Sequence, residues 1–421
     1  MHILFFADNF PPERNAQAAR VYERACYWVH WKHQAAVITC APNFPEGQVF
    51  PGYRNRWRSV ESMNGIRVVR VKTYIAPNAG KYRRILDFVS YMLAGLVAGL
   101  FTRRPDVVAA TSPQFFGALG ACLAAAARRL PFVLEVSDLW PDSIVAVGAM
   151  KRGYALRALE KIELWMYRRA VRIVTLTSSF KQNLVSRGID AGKIAVVING
   201  VELNSYAPRD KDLKLAASWG LAEQHFVVGY IGTHGMAHDL ENVLQAAARA
   251  ADPNLRFLFV GAGAERDRLV TQAREMGLDN VIFVPAQPKA AMPSYWSLCD
   301  LALVHLKNTP LFATVIPSKI FEAMGMGLPI LLAAPEGEAS DLIAKTGAGI
   351  WVPPGQPRQL LEAIHLLRRN PDLHRRLASC SRAAAPQYSR ERQAREMLAA
   401  LTAAATPQLR IPALTHPETT R

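Results

Sequence analysis

Cysteine is scarce in this chain, and no cysteine pair has the spacing of a metal-binding or redox motif. The 421 residues include five cysteines, which stand far apart in apolar runs: Cys26, Cys40, Cys122, Cys299 and Cys380. No C-x-x-C sequence occurs. The D-x-D triplet from Asp210 to Asp212 stands at a predicted helix start, where acidic side chains suit the helix dipole. We therefore expect reduced thiols, no bound metal and no cofactor.

Signals for export and for nucleic-acid binding are also missing. The N-terminal run from Met1 to Phe6 reads as a strand and lacks the basic region, apolar core and cleavage site of a signal peptide. The formal charge of +16 calls for an anionic partner: a nucleotide sugar, a phospholipid surface or a nucleic acid. The paired arginines mostly border helices, without the aromatic-interleaved patch or motif of a nucleic-acid binder. We therefore expect a cytoplasmic protein that binds no nucleic acid.

Short apolar strands alternate with helical stretches along the chain, which predicts parallel sheets with crossover helices. The strands fall into two series, and the polar, turn-rich stretch 199–209 separates them. The first series is predicted near 2–6, 35–39, 66–71, 106–110, 132–136, 171–176 and 194–198. The second is predicted near 226–231, 255–260, 280–284, 300–304, 328–333 and 348–352. The fold class is therefore α/β with two Rossmann-like domains, which suits a chain of this length.

One apolar run, 85–101, has three interpretations. Its length is at the lower limit for a membrane span, it contains Asp87, and basic residues flank both ends. A helix buried against the sheet would account for much of its apolarity. A helix whose outer side touches the membrane would also use the Arg83-Arg84 and Arg103-Arg104 pairs, because basic flanks attract anionic headgroups. All three interpretations remain open on the sequence.

The most informative stretch is IPSKIFEAMGMGLPI, residues 316–330. Pro317 predicts the start of a helix, because the first turn tolerates a missing N–H. Ser318 and Lys319 fall in that turn, where unpaired N–H groups and the helix dipole favour an anion. Glu322 follows one turn later on the same side. This pattern suits a nucleotide diphosphate, with N–H groups and an ammonium for the phosphates and a carboxylate for the ribose hydroxyls.

The same string resembles the donor-site signature of retaining glycosyltransferase family 4, whose members have two facing Rossmann-like domains, the GT-B fold. The family helix usually carries two glutamates in the pattern E-x7-E. The second matches Glu322, whereas the position of the first is Thr314 here. In this departure and in the string IPSKIFE, the sequence is most similar to the family branch that makes bacterial surface polysaccharides, especially to N-acetyl-L-fucosamine transferases.

The resemblance implies that the two domains bind different substrates. The first domain, 1–203, would face the acceptor, and the second, 204–385, would bind the nucleotide sugar. A helix at 386–405 would cross back to the first domain. The remaining tail, 406–421, is polar and rich in proline, and we predict that it is disordered.

Two glycine-containing loops complete the expected nucleotide pocket. Gly232, Thr233 and His234 follow the first strand of the second domain, where family members often carry an arginine and a lysine. Gly261 and Gly263 form a G-x-G turn after the next strand, which lacks the third glycine of the dinucleotide fingerprint. A bare strand-to-helix turn is the alternative reading of that second loop.

The first domain offers two further candidates. Asn15, Ala16 and Gln17 stand where the family has a glycine-rich loop beside the donor phosphates and the acceptor, and a plain strand-to-helix turn is the alternative interpretation. Asp138 follows the strand 132–135 and is the nearest match to a family histidine. A carboxylate there could contact an acceptor hydroxyl or the donor sugar, or could simply cap the next helix.

The implied activity is metal-independent transfer of a sugar with retention of its anomeric configuration. The resemblance implies a UDP-sugar donor carrying an N-acetylated deoxyhexose or hexosamine, a lipid-linked or saccharide acceptor, and Asp138 and Glu322 in catalysis. Such an enzyme would work at the cytoplasmic face of the plasma membrane, on its anionic surface. Two alternatives remain: a non-hydrolysing UDP-sugar epimerase of similar fold, and a non-catalytic protein that binds membrane surfaces.

Overall fold

The structure is a computed structural model that describes residues 1–13, 15–44, 46–76, 81–112, 114–140 and 153–406. The predicted disordered tail lies outside the described residues, except for Thr406.

The first domain is built on an eight-stranded sheet with the order β3-β4-β2-β1-β5-β6-β7-β8. Its strands are β1 His2–Phe6, β2 Gln34–Cys40, β3 Arg58–Met63, β4 Ile66–Val71, β5 Val107–Thr111, β6 Phe132–Val136, β7 Arg172–Thr175 and β8 Ile194–Val196. Its helices are α1 Ala16–His30, α2 Lys81–Phe101, α3 Phe115–Ala127, α4 Tyr154–Arg169 and α5 Ser178–Ser186. Side chains from α2 to α5 pack on one face of the sheet and those of α1 on the other.

The second domain has a six-stranded parallel sheet with the order β11-β10-β9-β12-β13-β14. Its strands are β9 Phe226–Ile231, β10 Leu255–Val260, β11 Val281–Val284, β12 Leu301–His305, β13 Ile330–Ala333 and β14 Gly349–Val352. Its helices are α6 Leu213–Ser218, α7 Leu240–Ala248, α8 Arg266–Glu275, α9 Met292–Ser297, α10 Lys319–Met326, α11 Glu338–Thr346, α12 Pro357–Arg369 and α13 Pro371–Ala384. The strand order is that of a Rossmann fold, whose ligand crevice opens at the carboxyl ends of the two central strands, here β9 and β12.

The prediction of two α/β domains with parallel sheets is confirmed, and most predicted strands lie within two residues of the observed ones. One strand, β3, was missed. It pairs antiparallel with β4 at the edge of the first sheet, and its side chains alternate between exposed and half-buried. The apolar pattern that marks the buried strands is therefore weak in β3.

The last helix, α14 (Arg390–Ala405), lies against the first domain. Its buried residues Met397 and Leu401 join the core beneath α1, and the indole of Trp28 on α1 donates a hydrogen bond to the carbonyl of Ala394 at 3.0 Å. At the start of α14, Arg390 donates to Asn199 at 2.7 Å. The chain therefore returns to the first domain after completing the second.

Helix α2 packs closely against α3 through small residues. A Cβ atom on Gly120 would lie 2.7 Å from the carbonyl oxygen of Met92, so only glycine permits this approach. The opposite side of α2 is open: the exposed fractions are 55% for Leu86, 53% for Leu93 and 54% for Val97. By length and composition alone α2 could cross a membrane, and only 17% of its most apolar window is buried. The helix is therefore not a fully buried core helix.

Candidate active site

Helix α10 begins at Lys319, two residues later than predicted from Pro317. The N–H of Ile320 donates to the carbonyl of Pro317 at 3.1 Å, a spacing of three residues, so the chain makes a 3₁₀-type turn before the α-helix starts. Ser318 is the N-cap residue, and its side chain makes no capping hydrogen bond.

The Lys319 side chain is buried beside the carboxyl end of β9. Its ammonium lies 3.7 Å from the centre of the Tyr230 ring, and it has no hydrogen-bond partner among the residues that the structure describes. Burial lowers the pKa of Lys319 to about 7, although the charge of Glu322 opposes that shift. A Cβ atom on Gly232 would lie 3.0 Å from the Lys319 nitrogen, and the φ of this glycine is +146°. The absence of a side chain at Gly232 therefore leaves room for the ammonium.

The two glycine loops touch each other beside Lys319. A Cβ atom on Gly261 would lie 2.0 Å from the carbonyl oxygen of Gly232, and one on Gly263 would lie 2.3 Å from that of His234. Both positions have φ values above 150°, so side chains are excluded for conformational reasons as well. The structure thus brings together four residues predicted from separate loops and places Lys319 beside them.

His234 is fully buried between these loops, and within the described part of the chain neither of its ring nitrogens makes a hydrogen bond. Burial lowers the pKa of His234 to about 4, with further contributions from the charges of Lys319 and Arg266. The imidazole is therefore neutral at pH 7. Its neighbour Thr233 is held through its backbone carbonyl, which accepts a hydrogen bond from the Tyr230 hydroxyl at 2.8 Å.

Glu322 lies one turn further along α10 and is half-buried. The indole N–H of Trp296 donates to its Oε2 at 3.0 Å, which fixes the carboxylate and leaves Oε1 available. Burial raises the pKa of Glu322, while the Trp296 hydrogen bond and the charges of Lys289 and Lys319 oppose that rise. The carboxylate can accept hydrogen bonds from a ligand on its remaining oxygen.

Contacts between the domains flank this region. Lys289 of the second domain forms an ion pair with Glu23 on α1, which also accepts from Arg390 at 2.8 Å. The hydroxyl of Thr177 donates to the carbonyl of Thr314 at 2.9 Å. Thr314, which replaces the first glutamate of the family motif, therefore lies at a contact between the domains.

A cavity of about 650 Å³ lies in the first domain at the carboxyl ends of several strands. All four candidates predicted in this domain line it: Asn15, Ala16, Gln17 and Asp138. Val315, from the segment that leads into α10, also contributes to its wall, so the cavity adjoins the second domain.

Two of these candidates also have structural roles. The side chain of Asn15 caps α1 by accepting from the N–H of Ala18 at 2.8 Å, and Gln17 donates to Asp8 at 2.9 Å. The plain-turn interpretation of this loop therefore accounts for part of its sequence. Asp138 is anchored through its backbone, whose carbonyl accepts from the Ser112 hydroxyl at 3.3 Å.

The sequence did not single out several residues that shape these sites. Arg24 makes a buried bidentate ion pair with Glu135, at 2.7 and 2.9 Å, which ties α1 to the strand before Asp138. Tyr230 and Trp296 look like ordinary core aromatics in the sequence. Asp87 was visible in the sequence as a carboxylate inside an apolar run, but nothing there assigned it to the cavity wall.

Among the described residues, no group of three or more His, Cys, Asp or Glu side chains could hold a metal ion. The aspartate of the D-x-D triplet closest to the helix, Asp212, accepts from the N–H of Leu215 at 3.0 Å and so caps α6.

Comparisons with known proteins agree with this architecture. Residues 15–200 match the model of the glycosyl transferase 4-like domain, and residues 211–384 match that of glycosyl transferases group 1. WcaI of Escherichia coli, named as a colanic acid biosynthesis glycosyl transferase, is 26% identical over 360 residues, which cover 84% of this chain and 88% of WcaI.

Two solved structures show the same fold. Sucrose-phosphate synthase from Thermosynechococcus elongatus superposes with a TM-score of 0.75 at 18% identity, covering 96% of this chain and 99% of that one. HepE of Anabaena, solved in complex with UDP-glucose, gives a TM-score of 0.72 at 20% identity, covering 96% and 100%. Because the two family models match the two domains in turn and the fold agrees, the chain belongs to the glycosyltransferases with a GT-B fold.

Proposed function

We propose that this protein transfers a sugar from a UDP-sugar bound by the second domain to a saccharide acceptor held by the first, in the synthesis of a bacterial surface polysaccharide. The observation that carries the proposal is the buried ammonium of Lys319, which lacks a hydrogen-bond partner in the described part of the chain and stands at the start of α10 beside two glycine loops. An anion is the ligand that this arrangement lacks.

The donor diphosphate would lie at the start of α10. The glycines at 232, 261 and 263 let backbone approach the phosphates closely, and Lys319 supplies the positive charge that the arginine and lysine of other family members supply elsewhere. As the bond to the sugar breaks, negative charge grows on the leaving UDP. Groups that are already oriented towards this charge lower the barrier, because they need not reorganise during the reaction.

The nucleoside would be held through Glu322. The Trp296 hydrogen bond holds one carboxylate oxygen, so the other can accept from the ribose hydroxyls. The choice of uridine is supported by HepE, which was solved with UDP-glucose. The resemblance of the IPSKIFE string supports a donor carrying an N-acetylated deoxyhexose or hexosamine. It also supports transfer with retention of configuration.

The surface-polysaccharide role is supported by the names of relatives. WcaI is named for colanic acid biosynthesis. TuaH of Bacillus subtilis, which is 28% identical over 202 residues covering 47% of this chain and 49% of TuaH, is named for teichuronic acid biosynthesis. In this role the acceptor would be a lipid-linked saccharide or a free saccharide.

We also propose that the enzyme works as a peripheral protein on the cytoplasmic face of the plasma membrane. Helix α2 exposes Leu86, Leu93 and Val97 along one side, and Phe101 at its end is 83% exposed. Arg83, Arg103 and Arg104 at its ends are exposed too. An apolar stripe between basic residues favours an anionic bilayer as the partner.

One assay tests the proposed activity against its alternatives. The protein is incubated with a panel of UDP-sugars and a lipid extract of bacterial membranes, and the products are separated by chromatography. Sugar transferred to lipid with retained configuration is the expected result. A free isomerised sugar formed without acceptor would indicate the epimerase instead, and UDP binding without any turnover would contradict an enzymatic role.

A further inference from the structure

The cavity of the first domain has the lining of a carbohydrate site. Its polar wall includes carboxylates and amides, namely Asp8, Asn15, Gln17, Asp87 and Gln114. Its apolar wall includes the aromatic rings of Phe44, Phe88, Tyr91 and Trp140. Carboxylates and amides bind sugar hydroxyls, while aromatic rings cover the apolar faces of a sugar ring.

One of the carboxylates in this wall, Asp8, is fixed by the protein itself. Asn9 donates to its Oδ2 at 2.8 Å and Gln17 donates to its Oδ1 at 2.9 Å. Both oxygens of Asp8 are therefore held in one orientation at the end of β1.

A second carboxylate, Asp87, has no such support. It lies in the second turn of α2, and no side chain or N–H group in the described part of the chain donates a hydrogen bond to its carboxylate. Burial raises the pKa of Asp87 to about 7, the charge of Asp8 adds to this rise, and Arg84 opposes it. A half-buried acid beside a second acid, without a donor, destabilises the free protein.

We propose that Asp87 recognises the sugar acceptor, by accepting hydrogen bonds from neighbouring hydroxyl groups of the sugar that enters the cavity. This proposal rests on the proposed glycosyltransferase function. The sugar hydroxyls supply the hydrogen-bond donors that the Asp87 carboxylate lacks in the described part of the chain. Phe88, one residue further along α2, can pack its ring against the apolar face of the same sugar. Because Leu93 and Val97 are exposed on another side of α2, a bilayer touching the helix would hold a lipid-linked acceptor close to Asp87.

The test is the Asp87→Asn variant, with Asp267→Asn on α8 as its matched control, because Asp267 is a fully exposed aspartate in the second domain. Initial rates are measured with the best UDP-sugar while a lipid extract of bacterial membranes is titrated as acceptor. UDP affinity is measured by calorimetry and the melting temperature by thermal denaturation. We expect Asp87→Asn to raise the KM for the lipid acceptor at least tenfold. UDP affinity should stay unchanged, and the melting temperature should stay equal or rise.

Three other outcomes would contradict the acceptor role of Asp87. An unchanged acceptor KM would overturn the acceptor role of Asp87 while leaving the glycosyltransferase function intact. A fall in UDP affinity, or a lower melting temperature, would also overturn it, because the carboxylate would then serve the donor site or the fold. If the wild-type protein itself transfers no sugar, the proposed function fails and this proposal falls with it.

The pH profile gives a second readout that a structural role would not move. The charged and titratable groups near Asp87 are Asp8, Glu13 and Cys40 from the adjoining strand ends and loop, and Arg84 on its own helix. Tyr91, also on this helix, lines the same cavity. Because protonation removes the charged acceptor, the wild-type KM for the lipid acceptor should rise as pH falls below 7. In Asp87→Asn this rise should be absent, and an identical profile in both proteins would overturn the proposal.

Discussion

The ammonium of Lys319 lies 3.7 Å from the centre of the Tyr230 ring and lacks a hydrogen-bond partner among the residues of the described structure. The face of an aromatic ring attracts a cation but cannot replace the hydrogen bonds that an ammonium makes in water. Burial accordingly lowers the pKa of Lys319 to about 7, against the opposing charge of Glu322. The site is thus prepared for a ligand with negative charge and oxygen acceptors, which are the properties of a diphosphate.

The pH dependence of nucleotide binding follows from this pKa. Below pH 7 Lys319 is already protonated in the free protein, so UDP affinity should be nearly independent of this group. Above pH 7 the lysine is neutral until the diphosphate binds and raises its pKa again. Affinity should then fall by up to about tenfold per pH unit, because each binding event takes up a proton.

Isothermal titration calorimetry with UDP between pH 6.5 and 9 measures this effect. At pH 8 the observed heat should differ between two buffers of unlike ionisation enthalpy. Equal heats in the two buffers, together with a flat affinity profile, would show that Lys319 does not bind the phosphates.

Glu322→Gln should leave the fold intact but weaken UDP binding. The amide oxygen can still accept from Trp296, which holds the side chain in place, but the charged acceptor for the ribose is lost. Hydrogen bonds to charged groups contribute about 1.5–3 kcal/mol, so affinity should fall about ten- to a hundredfold. Glu362→Gln, on the exposed side of α12, is the matched control. Unchanged UDP affinity in Glu322→Gln by calorimetry would exclude the ribose role.

Asp138→Asn should reduce turnover by about a hundredfold or more, because the carboxylate would contact the reacting sugars. The melting temperature should move little, because the amide keeps the size of the side chain and the backbone contact with Ser112 is retained. A large drop in melting temperature with a proportionate loss of activity would instead indicate that Asp138 serves the fold.

Membrane docking should depend on salt and on the basic residues beside α2. Each basic residue near an anionic leaflet contributes about 1 kcal/mol, so changing Arg83, Arg103 and Arg104 together to Gln should release most of the protein from anionic vesicles. Sedimentation with vesicles of phosphatidylglycerol and phosphatidylcholine measures the bound fraction. Arg84 is retained because it lines the cavity.

A variant with three exposed arginines of the second domain changed to Gln, namely Arg274, Arg369 and Arg376, controls for net charge. Both triple variants lose the same charge, so only the position differs. Equal vesicle binding by the two variants would rule out docking through α2. Wild-type binding that does not change with salt concentration or lipid charge would rule it out too.

Much of the fold could be predicted because its strands are buried on both faces and therefore read as short apolar runs. The pattern failed for β3, which lies at a sheet edge and alternates between exposed and half-buried side chains. The start of α10 was placed two residues early, since Pro317 is followed by a 3₁₀ turn rather than directly by the helix. Local sequence does not distinguish these two kinds of first turn.

The candidate donor site could be predicted only in part. Lys319 and the glycines stand out because their residue types suit a phosphate, whereas Tyr230 and Trp296 acquire their roles by contacts between distant segments. Asp87 was visible only as a charge in an apolar helix. Its position opposite Asp8 depends on how α2 packs across the ends of the strands, which no local pattern encodes.

The most direct measurement is UDP binding to Lys319→Met, with Lys345→Met on the exposed surface of α11 as the matched control. Methionine keeps most of the length and apolar volume of the lysine and removes only the buried charge. We expect Lys319→Met to lose UDP affinity at least tenfold. Its melting temperature should be equal to or higher than that of the wild type, because the unpaired buried ammonium destabilises the free protein. Wild-type UDP affinity in Lys319→Met would contradict the assignment of the donor diphosphate to the start of α10.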